Sequence, residues 1–284
     1  MKKIVTILSV AVAMMATAHT YAQSCCAKPA SSGGMQALAL NRSFKASHEA
    51  PLPMSYAATT GAMIHFPTKG GANGNAFFIP AEVKSNKVLI MVHEWWGLND
   101  YIKKEAETWQ KELGKDVAVY AIDLYDGRVA TTADEAGKIM NKLDPKRAEA
   151  IINGALAKIG KNKKIATVGW CMGGSWSFTA SVLAGNDASG CVMYYGFPEK
   201  DPARAHRLKT DLLYIYGRQD DFIQEADVQR LGDNVRESGH QFELHSYDAV
   251  HAFANPSNPN YNVQAATEAH GIALKFVLSH LEGQ

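Results

Sequence analysis

Along most of the chain, short continuous apolar runs alternate with longer segments whose apolar residues recur every three or four positions. Lys87 to Val92, Val117 to Ile122, Ile165 to Val168, Cys191 to Tyr195 and Leu212 to Tyr216 are runs of the first kind. A strand that is apolar on both faces is covered on both, as in a parallel sheet. Phe242 to Tyr247 adds a strand of alternating character. Ahead of these, Ala62 to Phe66 and Ala76 to Ile79 flank the loop Gly70-Gly71-Ala72-Asn73-Gly74, which gives an opening hairpin. That loop lacks the Lys-Ser/Thr pair and the following helix of a phosphate cradle, so it reads as a turn. The segments of the second kind are Tyr101 to Leu113, Thr132 to Ile159, Ser175 to Ala184, Ala226 to Ser238 and Val263 to Leu281. Asp144-Pro145 divides the second of them into two helices, because proline interrupts a helical turn. The pattern predicts an α/β fold, a mostly parallel central sheet flanked by helices, in a single domain over residues 59–284.

Composition agrees with that picture and narrows the partners. The chain has 284 residues, 46% of them hydrophobic, enough for a sizeable core. Lys and Arg number 29 against 28 Asp and Glu, so no broad positive field exists to neutralise a phosphate backbone, and nucleic acid is not expected as a partner. The N-terminus reads as an export signal over residues 1–22. Lys2 and Lys3 precede an apolar run from Ile4 to Ala18, and Thr20-Tyr21-Ala22 supplies a small-x-small cleavage pattern. The expectation is a periplasmic or secreted monomer with no membrane span after cleavage; the alternative is a retained anchoring helix. Residues 23–58 read as a flexible segment, at least through the Ser/Gly/Ala-rich stretch that ends near Gly34. It carries Cys25 and Cys26, which are taken as non-catalytic.

The chemistry concentrates at Ile165-Ala-Thr-Val-Gly169-Trp-Cys171-Met-Gly173-Gly-Ser-Trp. A short strand leads into Gly-x-Cys-x-Gly and then a helix, which is the nucleophile-elbow pattern with Cys in the serine position. The tight turn demands small residues two positions either side of the nucleophile. The sulfur then stands at the positive end of a helix, where thiolate is favoured. The Met172 backbone N–H points to the same place and suits an oxyanion. A glycine-flanked structural cysteine would look the same locally. The C-terminal half of the chain separates the two readings, because in hydrolases of this kind the acid and the histidine come later, in that order. Leu212 to Tyr216 ends in Gly217-Arg-Gln-Asp220-Asp221-Phe222, and Phe242 to Tyr247 leads into Asp248-Ala-Val-His251. Both loops leave strand ends on the side where open α/β sheets bind ligands. Either Asp220 or Asp221 could serve as the acid, and Cys191, mid-strand, reads as core.

Taken with His93-Glu94-Trp95-Trp96-Gly97-Leu98-Asn99, Asp123-Leu124-Tyr125 and His251-Ala252-Phe253, these motifs resemble the dienelactone hydrolase family from about Ala62 to the C-terminus. The resemblance implies an α/β-hydrolase fold, Cys171 as nucleophile and His251 as base. It selects Asp220 over its neighbour as the acid. It also implies that Glu94 helps to activate the thiol and that the Trp95 N–H joins Met172 in the oxyanion hole. Trp96, Tyr125, Arg128 and Asn255 become candidate substrate-binding residues. Dienelactone-cleaving members carry an Arg where this chain has Asn255, and a Ser where it has Ala252, so the namesake substrate is not the expected one.

The sequence therefore predicts a carboxylic ester hydrolase acting on a small-molecule ester or lactone through a Cys-Asp-His triad and a thioester. No metal and no organic cofactor is expected, since His93-Glu94-x-x-Gly97 lacks the second histidine of a zincin motif. Two other readings stand beside it. One is a thiol redox protein, against which the absence of Cys-x-x-Cys speaks. The other is a catalytically silent small-molecule binding protein on the same fold.

Overall fold

The computed structural model describes Met1, Met35 and residues 37–283. Apart from Met1, the expected export signal lies outside the described residues, as does the Cys25-Cys26 pair.

Eight strands form one sheet in the order β1-β2-β4-β3-β5-β6-β7-β8. They are β1 (Ala62–Phe66), β2 (Gly74–Ile79), β3 (Lys87–Val92), β4 (Val117–Asp123), β5 (Lys164–Trp170), β6 (Ala188–Tyr194), β7 (Leu212–Gly217) and β8 (Phe242–Tyr247). The hairpin β1–β2 and the pair β2–β4 are antiparallel, and every other pairing is parallel. The apolar runs became the inner parallel strands for the reason their pattern suggested. All of β3 beyond Lys87, all of β5 beyond Lys164 and all of β7 are buried.

Helices connect the strands: α1 (Arg42–Ala46), α2 (Asp100–Leu113), α3 (Ala133–Asn141), α4 (Pro145–Ile159), α5 (Met172–Ala184), α6 (Pro202–Ala205), α7 (Glu225–Glu237) and α8 (Val263–Glu282). Most begin at a side-chain cap. Asn99, Thr132, Asp144 and Asn262 each accept a hydrogen bond from the first turn of α2, α3, α4 and α8. Pro145 starts α4, which is where the sequence divides the long helical segment. α5 differs. Its N-cap is Cys171, with no side-chain cap, and eleven of its thirteen residues are buried.

Parallel register brings the strand ends into line. Val92 pairs with Gly169, Trp170 with Tyr194, Tyr194 with Ile215 and Gly217 with Tyr247. The loops after β3, β5, β6, β7 and β8 therefore leave one edge of the sheet together, and they carry Glu94, Cys171, Tyr195, Asp220 and His251. Among the described residues, no helix is long and apolar enough to cross a membrane.

The segment expected to be flexible is in part built into this edge. Asn41 caps α1, and Phe44 within it is fully buried. Further along, the Glu107 carboxylate accepts hydrogen bonds from the backbone of Thr59, Thr60 and Gly61 at 2.9, 2.7 and 2.9 Å. Tyr56, within the segment, donates through its amide to the Asp100 carboxylate at 3.0 Å and through its hydroxyl to Glu107, which ties the segment to α2. The sequence concealed it because α1 has only five residues, too few for a periodic signal.

Candidate active site

The Cys171 elbow follows from steric demands that the local sequence meets. Cys171 holds φ 54° and ψ −120°, a conformation that costs a non-glycine residue free energy. Its amide donates to the Tyr194 carbonyl at 3.0 Å and its carbonyl accepts from Gly174 at 2.9 Å, which holds the turn. A Cβ on Gly169 would stand 2.1 Å from the Gly173 carbonyl oxygen, and one on Gly173 would stand 2.3 Å from that of Val92. No other residue type fits either place. Two further non-glycine residues with positive φ, Tyr195 (36°) and Ala252 (60°), flank the same site.

His251 joins the two ends of a hydrogen-bonded chain. Its Nδ1 lies 2.7 Å from Asp220 Oδ2 and its Nε2 lies 3.2 Å from Cys171 Sγ. A carboxylate can only accept, so Nδ1 carries a proton, and Nε2 is turned to the sulfur. Asp220 is itself held, its Oδ1 accepting from the Phe222 and Ile223 amides at 2.8 and 3.1 Å. Asp221 is exposed, and Asp220 is the neighbour in contact with His251.

All three side chains are buried, with Cys171 only 1% exposed. Burial pushes the Cys171 thiol up, opposed by the neighbouring imidazole. Burial alone would lower His251, but the charges of and hydrogen bonds to Asp220 and Cys171 together outweigh it and hold the imidazole well above its ordinary value. Thiol and imidazole are therefore a coupled pair in contact, across which a proton can pass between Sγ and Nε2.

Glu94 lies beside this chain, within its electrostatic reach. Its Oε1 accepts from the Tyr195 hydroxyl at 3.2 Å and its Oε2 from Asn255 Nδ2 at 2.7 Å. Burial pushes its carboxyl up to about 7, against the pull of His251 and these two donors. The loop that carries it is anchored by His93, whose Nδ1 meets the Glu94 carbonyl at 2.6 Å and whose Nε2 accepts from the Leu124 amide at 3.1 Å.

The expected binding residues divide. Trp96 and Asn255 line a solvent-open cavity of about 480 Å³, together with Glu94, Ile102, Trp170 and Ser257. Tyr125 and Arg128 do not line it. The Tyr125 ring is fully buried, with its hydroxyl donating to Met172 Sδ at 3.1 Å, and it supports the elbow from beneath. Arg128 is exposed and donates through Nε to the Tyr125 carbonyl. Trp95 is fully buried, edge-on to Phe44 and Trp96.

Three site residues were not legible in the sequence. Tyr195, which the sequence offered as strand core, turns at positive φ and reaches Glu94. Phe44 packs against Trp95, Phe222 and His251, with ring centroids 5.2, 4.9 and 5.8 Å away. His48 stacks near Trp95 and His251 at 4.7 and 5.4 Å. Burial, followed by the charge of His251, drives the His48 pKa down to about 3, so this imidazole is neutral. Only the position of Tyr195 after a strand end carried a hint; the segment bearing Phe44 and His48 carried none.

The family model described as the dienelactone hydrolase family matches residues 75–281. The chain belongs to the dienelactone hydrolase family. A carboxymethylenebutenolidase of Pseudomonas putida is 26% identical over 234 residues, covering 77% of this chain and 91% of that one. Another, from Pseudomonas sp. strain P51, is 35% identical over 114 residues, covering 40% and 47%. Among solved structures, a dienelactone hydrolase-like promiscuous phosphotriesterase from metagenomic libraries superposes with a TM-score of 0.64 at 19% identity, covering 78% and 99%. That likeness concerns the fold alone. The family membership makes this protein a hydrolase of the dienelactone hydrolase type. His48 and Phe44 precede the family match.

Proposed function

We propose that this hydrolase cleaves an uncharged, largely apolar ester or lactone of a small molecule through a thioester on Cys171. The observation that carries the reading is the 3.2 Å contact between His251 Nε2 and Cys171 Sγ, with Asp220 on the opposite ring nitrogen. The thiol proton passes to Nε2 as sulfur attacks the carbonyl carbon, and Asp220 stabilises the imidazolium that forms. The N-terminus of α5 and the Met172 and Trp95 amides receive the developing oxyanion. Collapse breaks the bond to the alkoxide, which takes the proton from His251. A water that gives its proton to the same nitrogen then attacks the thioester and restores the thiol.

Glu94 is a positioning residue in this scheme. Its carboxyl, held by Tyr195 and Asn255, bears electrostatically on the thiol and forms a wall of the cavity. The substrate class rests on that cavity, which meets the site at Glu94 and is not lined by Cys171 or His251 themselves. Its walls include Trp96, Ile102 and Trp170 beside Glu94 and Glu105, and no Lys or Arg is among them. A substrate carboxylate would find no cation to pair with, whereas an aryl or alkyl group would find apolar surface.

The test is a panel of neutral and carboxylate-bearing lactones and aryl esters, run on the wild type and on Cys171→Ala, His251→Ala and Asp220→Asn. Turnover of the neutral members, lost on removing the sulfur, is expected. Full activity in Cys171→Ala would sink the thioester mechanism, and preference for the anionic members would overturn the substrate class.

A further inference from the structure

We infer that His48, Cys171 and His251 together form a binding site for a thiophilic divalent cation such as Zn²⁺, and that its occupancy switches the hydrolase off. Among the described residues, one donor atom from each of the three side chains lies within 4.8 Å of the others, and all three residues are buried. The lone pairs point the right way. His48 Nδ1 lies 2.6 Å from the Phe44 carbonyl, which can only accept, so that nitrogen carries the proton. The other nitrogen, Nε2, is therefore an unprotonated acceptor, and it is buried with no hydrogen-bond partner. His251 has the same arrangement, with Asp220 on Nδ1 and Nε2 turned to the sulfur.

Each imidazole thus already has the outer contact typical of a metal-bound histidine, a carboxylate for one and a backbone carbonyl for the other. One thiolate and two neutral imidazoles are a donor set that suits zinc, with a water or substrate oxygen as fourth ligand. Zinc-ligand bonds of roughly 2.0–2.3 Å put donor atoms about 3.3–3.7 Å apart. The 3.2 Å separation of His251 Nε2 and Cys171 Sγ is close to that spacing. Seating the third ligand requires His48 to move inward by on the order of an ångström. It sits just beyond the short helix α1, outside the strands of the sheet.

Binding is a simple exchange. The Cys171 S–H bond breaks, its proton goes to solvent, and a metal–sulfur bond forms. The same sulfur and the same Nε2 lone pair are needed for ester cleavage, so the cation and catalysis exclude one another. Removal of the cation by a chelator restores both.

The inference shares the Cys171–His251 pair with the proposed reaction, but its primary readouts need no turnover. Zn²⁺ is titrated calorimetrically into the metal-free full chain, and Cd²⁺ is followed by thiolate-to-metal charge-transfer absorption. Wild type should bind one equivalent, give the ultraviolet band, and lose activity in proportion. His48→Ala and the bulkier His48→Gln should both bind at least about tenfold more weakly. Zinc-edge X-ray absorption should count one sulfur and two imidazoles in wild type, and one imidazole fewer in His48→Gln, a change that mere loosening of the segment would not produce. Equal affinity in wild type and both variants, or a wild type without the Cd²⁺ band, would overturn the site. An ester panel that fails while the band and the His48 effect persist would count against the thioester reading alone.

Discussion

The two cysteines among the described residues are a natural experiment. Cys171 and Cys191 are 1% and 0% exposed, both thiols are free, and burial pushes both upward. Cys191 sits mid-strand in β6, where its sulfur lies 3.9 Å from the Ser177 hydroxyl. Cys171 is held at positive φ where β5 meets α5 and faces an imidazole. Burial therefore does not distinguish the proposed nucleophile from a core thiol. Presentation on a turn and a proton acceptor in contact do.

The strongest way to break this comparison is to truncate each sulfur in turn. Cys171→Ala is expected to lower kcat/KM on a responsive ester by at least about 10³-fold, while Cys191→Ala stays within a few-fold. Next, Asp220→Asn should cost about 10²–10⁴-fold in kcat, because the imidazole loses the partner that sets its tautomer, while Asp221→Asn leaves kcat nearly unchanged. Steady-state kinetics on the same substrate read both pairs.

The backbone around the two thiols should differ as well. Gly169→Ala forces a Cβ to 2.1 Å from the Gly173 carbonyl and should destabilise by about 2–4 kcal/mol in denaturant unfolding. Gly190→Ala, next to Cys191, meets the His280 side chain at 3.1 Å and the Phe276 ring at 3.2 Å, and should cost about half as much.

A pH-dependent effect concerns the charge environment, since Cys171, unlike Cys191, has an acid with a raised pKa beside it. Native Glu94 keeps its proton up to about 7, whereas an unfolded Glu releases it near 4.5. Between those pH values the native state binds more protons, so this group's contribution to stability falls as pH rises from about 4.5 to about 7. Glu94→Gln should remove that slope. The variant should gain on wild type by about 3 kcal/mol at most by pH 8, and the gap should close below pH 4.5. Parallel denaturant titrations across that range would reveal it.

How much of the molecule the sequence made legible depended on how local the cause was. The strands were visible because β3, β5 and β7 are covered on both faces and read as unbroken apolar runs. The elbow was visible because the clash that excludes side chains at Gly169 lies within the turn itself. The order of Cys, Asp and His suggested the rest of the chain of hydrogen bonds. Tyr125 and Arg128 misled because proximity to a strand end says nothing about which way a side chain turns. Both left the cavity, one into the core and one to solvent.

By itself, then, the sequence determined the sheet, its helices, the turn at Cys171 and the two loops that could supply its partners. Those features depend on periodicity and on steric limits within a few residues. Only the tertiary structure decided that Tyr195 and Asn255 hold Glu94, that Phe44 closes over His251, and that the unpaired nitrogen of His48 comes within reach of the thiol. His48 and Cys171 meet because a segment outside the sheet packs Phe44 and His48 against Trp95 and His251. Contacts of that kind arise from packing between parts far apart in the chain, and no local pattern encodes them.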